Sequence, residues 1–168
     1  MVFEETVVVD GPFDEVLAAT RSALAEQGFG VLTEIDMQAT LRSKIDKQMD
    51  RYVILGACNP KLASAALDVE PQIGVLLPCN VVVHEVDGKV HVDALDPGLM
   101  VSMTSRDELA PIGAEARRLV GNALAALTSG LVRQEGETNG YSAPTRIRRR
   151  EVGDVDLAAI SLASTVKV

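Results

Sequence analysis

Tyr52–Val86 reads YVILGACNPKLASAALDVEPQIGVLLPCNVVVHEV, and the fold turns on how this stretch divides. Its first part, with Arg51, is an apolar run (RYVILGA) without polar alternation. Such a run fits a central strand covered on both faces, or covered by a helix on one and a partner subunit on the other. Cys79–Val86 reads as a second strand. Between them PKLASAALDVEP has the spacing of a short amphipathic helix, with Leu62, Ala66 and Val69 on one side. Pro71 stops it, and Ile73–Leu77 leads into the following strand. The stretch holds both cysteines, each followed by asparagine and each pair next to a proline: Cys58-Asn59-Pro60 and Pro78-Cys79-Asn80. If the two strands are antiparallel neighbours, both cysteines lie at the same end of the sheet.

Outward from this stretch, turn chemistry and periodicity supply the remaining elements. Val86-Asp87-Gly88-Lys89 is a tight hairpin signal, because Asp-Gly adopts the type I′ turn readily. The return strand is Val90–Leu95. A last helix is expected from Thr104 or Ser105 to Leu127, with Ser105 and Glu108 in a capping-box pattern and Leu109, Ile112, Ala116, Leu119, Ala123 and Leu127 as its core stripe. Towards the N-terminus, Thr6–Asp10 is a β-branched strand closed by Gly11-Pro12. A helix follows, with Phe13, Val16, Leu17, Thr20 and Leu24 at helical spacing and Asp14 and Glu15 in its favourable first turn. Gly30–Asp36 is a second strand, with Val31, Thr33 and Ile35 expected to oppose Leu32, Glu34 and Asp36. Met37–Lys47 reads as a short helix or an irregular excursion. The order predicts an α+β domain: an antiparallel sheet with helices on one face.

At 168 residues the chain is long enough for one such domain plus some excess. Aromatics make up 3% and Trp is absent, so the core must be Val, Leu, Ile and Ala. A net charge of −8 argues against nucleic acid or an anionic membrane as partner. No apolar run approaches ~20 residues, so no membrane span is expected. The acidic N-terminus is no signal peptide, which points to a cytoplasmic protein with reduced thiols. The domain is expected over 1–128. Residues 129–168 read as a polar linker and a basic C-terminal extension containing Thr145–Arg150 (TRIRRR). This extension has six basic and five acidic side chains, net +1, against −9 for the rest.

Cys58 and Cys79 are the candidate site. Cys58 precedes a helix, whose N-terminal field favours a thiolate. Asn59 can cap that helix. Asn80, between a cysteine and valines, has no such local role. Buried cysteine also packs as a small hydrophobe, so the pair has a purely structural reading as well. Zinc would need two further ligands, and His84 and His91, expected to face each other across the hairpin, are only weak candidates. Glu34 and Asp36 share a strand face at a spacing suited to acid–base work, although solvated strand-end acids are the plainer reading of the pair.

Several of these segments resemble the domain of unknown function 302 family: GFGVLTEID (28–36), Lys44 before RYVILGACNP (51–60), LDVEPQIGVLLPCNVVVHE (67–85), and Asp96-Pro97 followed by Met100. The resemblance spans about residues 5–128. Its recognisable positions include Glu34, Asp36, Cys58, Asn59, Pro60, Pro78, Cys79 and Asn80. It implies a β-α-β4-α fold akin to the TATA-binding-protein-like group, and a homodimer. It carries no reaction. The leading functional expectation is a dimeric module holding a small ligand or soft metal ion at Cys58, Asn59, Cys79 and Asn80, with Glu34 and Asp36 assisting. A structural or interaction protein with packed cysteines comes second. A thiol-redox enzyme, with Cys58 as nucleophile and Cys79 as resolving thiol, comes third.

Overall fold

The computed structural model describes residues 4–131, with side chains over 6–129. The expected extension therefore lies outside the described residues, apart from its first few positions. Five strands form one antiparallel sheet: β1 (Glu4–Val9), β2 (Gly30–Asp36), β3 (Tyr52–Cys58), β4 (Cys79–Val86) and β5 (Lys89–Leu95). Their spatial order is β1-β5-β4-β3-β2, so the strands at the sequence centre are also central in space. The helices are α1 (Phe13–Glu26), α2 (Met37–Ile45), α3 (Pro60–Val69), α4 (Leu99–Thr104) and α5 (Ala110–Leu131). Among the described residues, no helix is long and apolar enough to cross a membrane.

Strand alternation decides what is core. Val53, Leu55, Ala57, Val81, Val83, Val90, Val92 and Ala94 all point to one face, where they pack with Val16, Leu17 and Leu24 of α1 and Val120, Leu124 and Leu127 of α5. Leu55, Val83 and Val92 are fully buried. Burying a side chain of that size is worth about 1.5–3 kcal/mol, so the three central strands anchor the fold. A second cluster of Ala66, Ile73, Met100 and Leu109 lies where α3, the 3-10 turn Pro71–Leu76 and α4 meet.

Two local readings need correction. A bulge between Val31 and Thr33 sets Leu32 outside the register, so Val31 shares a face with Glu34 and Asp36 while Thr33 and Ile35 take the other. One extra residue reverses the alternation on one side of it, and the period-2 reading had none. The single C-terminal helix is divided: α4 closes at Ser105 in the left-handed region (φ 54°), a 3-10 turn spans Asp107–Leu109, and α5 begins at Ala110. With that dihedral Ser105 ends a helix and cannot N-cap one, so no capping box forms with Glu108. Pro111 fits the first turn of α5, where its missing N–H goes unused. Ile73, in the segment that leads into β4, sits in the 3-10 turn and is buried in the second cluster.

The hairpin matches its sequence signal. Asp87 and Gly88 have φ 51° and 76°, the two positive values a type I′ turn needs, and Val86 pairs with Lys89.

Gly56 makes the sheet end compact. A Cβ there would meet Thr33 Oγ1 and, at 2.8 Å, Pro78 Cγ. Gly56→Ala is therefore expected to cost about 1–3 kcal/mol of folding stability, the usual range for overpacking. Denaturant unfolding reads the loss directly. A midpoint unchanged from the parent would show that the neighbours yield without cost.

Candidate functional site

Register places the two cysteines. Ala57 is the direct partner of Cys79, so Cys58 is one step out of line with it. In a pleated sheet that step sends their Cβ atoms toward opposite faces. Cys79 points into the helix side and is 6% exposed; Cys58 is half-buried where the chain leaves the sheet for α3. Both are free thiols. Both still line one small cavity between the sheet end and the helices, together with Phe29, Leu62, Ala66 and Ala116. Its volume is about 20 Å³, room for roughly one water or ion and far below the ~300 Å³ of a typical small-molecule pocket.

Burial pushes the Cys79 thiol above its ordinary range, and the neighbouring Cys58 pushes it the same way. Cys79 is thus a neutral thiol at neutral pH and packs as a small apolar group. Asn59 caps α3, its Oδ1 accepting from Lys61 N and Leu62 N at 3.2 and 3.3 Å. Pro60 occupies the first helical position, as its fixed φ favours. Asn80 pairs with Gly56 and projects, exposed, from the face away from the helices.

Glu34 and Asp36 lie at the other end of β2 from Gly30, the partner of Cys58. Each has separate work there. Glu34 accepts a forked hydrogen bond from Arg21 of α1, Nη2 to Oε1 and Oε2 at 2.7 Å and Nε to Oε2 at 3.1 Å. Asp36 caps α2 by accepting from Ala39 N at 2.8 Å. The structure brings Cys58, Asn59 and Cys79 together and leaves Asn80, Glu34 and Asp36 apart from them. Among the described residues, no three His, Cys, Asp or Glu side chains are grouped to hold a metal ion.

Asp96-Pro97 likewise has a structural role. Arg117 of α5 donates from Nε to Asp96 Oδ1 at 2.7 Å and from Nη2 to Oδ2, and Gly98 N donates to Oδ1 at 2.8 Å. The Arg117 guanidinium foremost holds the Asp96 carboxyl below the usual carboxylate range, with Gly98 N–H adding to the effect.

A second cluster of polar groups lies on the face of the sheet away from α1 and α5. The hairpin register sets His84 opposite both Tyr52 and His91, with ring centroids 5.3 and 5.4 Å away. His84 Nε2 donates to Asp93 Oδ2 at 2.7 Å, a diagonal contact between neighbouring strands. The facing histidines were legible from the hairpin. Tyr52 and Asp93 were not singled out, though the same register places both beside His84. Around them stand Ile35, Ile54, Val82, Val86 and Val8, and among the strand residues whose side chains are described the register sets two acidic or basic groups of the Asp, Glu, Lys and Arg types on this face, Asp93 and Lys89.

The family model described as "Domain of unknown function DUF302" matches residues 5–127. Among solved structures, the chain is similar to the crystal structure of the uncharacterized conserved protein DUF302 from Bacillus stearothermophilus. The two are 28% identical with a TM-score of 0.72, over 76% of this chain and 99% of the other. No curated protein matches the chain.

Cys79 makes a stability prediction with a definite sign. Its thiol binds its proton more tightly folded than unfolded, so its contribution is full below the free-thiol value of about 8.5 and is lost as pH rises through the folded value. Urea midpoints should fall on going above about pH 8.5, and fall less in Cys79→Ala. Equal slopes in the two proteins would contradict this. Asn59→Ala should cost about 1 kcal/mol through the lost cap.

Proposed function

This chain belongs to the DUF302 family, a domain of unknown function, and from that premise we propose that it is an interaction protein that pairs with a second copy of itself through the open face of the sheet. The observation that carries this reading is the one-sided core. Val8, Ile35 and Val86 are 45%, 44% and 39% exposed on the face that α1 and α5 leave free, with Ile54, Val82, Leu95 and Tyr52 half-buried between them. An apolar, charge-poor face of this extent is a recognised mark of association.

Size and charge favour a like copy. Five strands at ~4.8 Å spacing and six to eight residues at ~3.3 Å make a face on the order of 500 Å². Two such faces meeting bury on the order of 1,000 Å², the lower bound for a specific interface. A chain of net charge −8 repels its own copies, so they approach best through the surface that carries least charge. The packed Cys79, the capping Asn59 and Asp36, and the Arg21-paired Glu34 support an interaction role over chemistry at those residues.

Sedimentation of the full chain at micromolar concentration tests the reading. The parent should run at twice the chain mass, and Val82→Glu at the chain mass with an unchanged circular dichroism spectrum. Leu32→Glu, at the exposed β2 bulge, should leave pairing intact. A monomeric parent at about 100 μM, or a Val82→Glu variant that still pairs, would overturn it.

One observation favours a second reading: Cys58 and Cys79 share a cavity of ion size. Two thiolates suit a single soft cation of the copper(I) class, whereas zinc asks for four ligands. Binding must expel the Cys79 proton, so affinity should climb with pH, up to tenfold per unit for each proton released. Anaerobic copper(I) titration against a chelator should then show uptake that Cys58→Ser and Cys79→Ser both abolish. Equal uptake by the variants would exclude the site. Thiol redox exchange has less support, since the buried, neutral Cys79 is poorly placed to resolve a disulfide.

A further inference from the structure

The open face carries at its centre a row with two histidines, and we propose that this row makes the pairing of two copies dependent on pH: paired at neutral pH, separated in mild acid. The inference rests on the association reading above. Tyr52, His84, His91 and Val8 are successive partners across β3, β4, β5 and β1, so the two histidines occupy the middle of the sheet. Any sheet that packs on this face covers them.

The groups facing His84 are few. Strand β3 presents Tyr52 and Ile54; β5 presents His91 and Asp93, with Lys89 the next side chain on the same face; β1 presents Thr6 and Val8. The side chains of His84 and Asp93 are 18% and 27% exposed, already partly out of water in a single copy. Histidine is the side chain that changes charge between about pH 5 and 8.

The charge balance sets the sign. Protonating both imidazoles adds two positive charges to each copy. Asp93 lies against His84 and offsets one of them. The His91 charge then stands beside the His84 ring, 5.4 Å away, with Lys89 on its other side along the strand. No carboxylate among the described residues contacts His91. At neutral pH Asp93 and Lys89 leave each described face with no net charge, whereas two imidazolium charges leave it net +2, and an apolar contact makes such charge costly to enclose. The separated copies bind more protons than the pair, and acid shifts the balance toward them.

Sedimentation of the full chain at about pH 7.5 and 5.5 reads the effect, with circular dichroism at each pH. The dissociation constant of the pair should rise at least tenfold at the lower pH while the spectrum stays that of the folded chain. His91→Gln removes the uncompensated charge and should remain paired at both values. A parent equally paired at both pH values overturns the pH control and leaves the association reading standing. A parent unpaired at pH 7.5 overturns the association reading itself. Dissociation that persists in His91→Gln, or that coincides with loss of the folded spectrum, also overturns the pH control.

Discussion

The register that sets Ala57 against Cys79 and His84 against both Tyr52 and His91 governs the rest of the molecule. Side chains alternate strictly across a pleat, so this one alignment assigns every residue of the three central strands to a side. Val53, Leu55, Val81, Val83, Val90 and Val92 go to α1 and α5 and make the core. Ile54, Val82, His84, His91 and Asp93 go to the other side and make the open face. A slip of one residue would put histidines under the helices and valines in water. The fully buried Leu55, Val83 and Val92 hold the alignment against that slip.

The paired Cys-Asn motifs take their meaning from the same alignment. Their symmetry in sequence is not a symmetry in space. Cys79 is a packed neutral thiol and Cys58 a half-buried one at a strand end; Asn59 caps a helix and Asn80 projects outward. The other marked positions follow suit: Glu34 ties β2 to α1 through Arg21, Asp36 starts α2, and Asp96 fastens the chain after β5 to α5 through Arg117. These ion pairs lie near the surface, where each is worth little alone, but together they fix how the elements join. Glu34, Asp36, Asn59 and Asp96 thus have architectural work.

Much of this was legible in the sequence, for physical reasons. The element order, the Asp87-Gly88 hairpin, the Asn59 cap and the facing histidines all follow from local periodicity or turn chemistry, which one chain segment states by itself. What was not legible depends on events between segments. The bulge at Leu32 leaves no composition signal, yet it moves Val31 to the side of Glu34. The division of the last helix turns on the left-handed dihedral of Ser105, a conformation that serine does not signal in sequence. The separation of Glu34 and Asp36 from Cys58 follows from β2 running antiparallel to β3, a long-range fact. Asp93 and Tyr52 fall beside His84 only once three strands are aligned.

Association of this chain with its copy through the open face of the sheet is the proposal to which all of these placements lead. Amide and methyl NMR spectra recorded from dilute to concentrated protein at neutral pH test that claim residue by residue. Concentration-dependent shifts or broadening should collect on Ile35, Ile54, Val82, His84 and Val8, and spare α1 and α5. Spectra that do not change with concentration, or changes that collect on the helices, would contradict it.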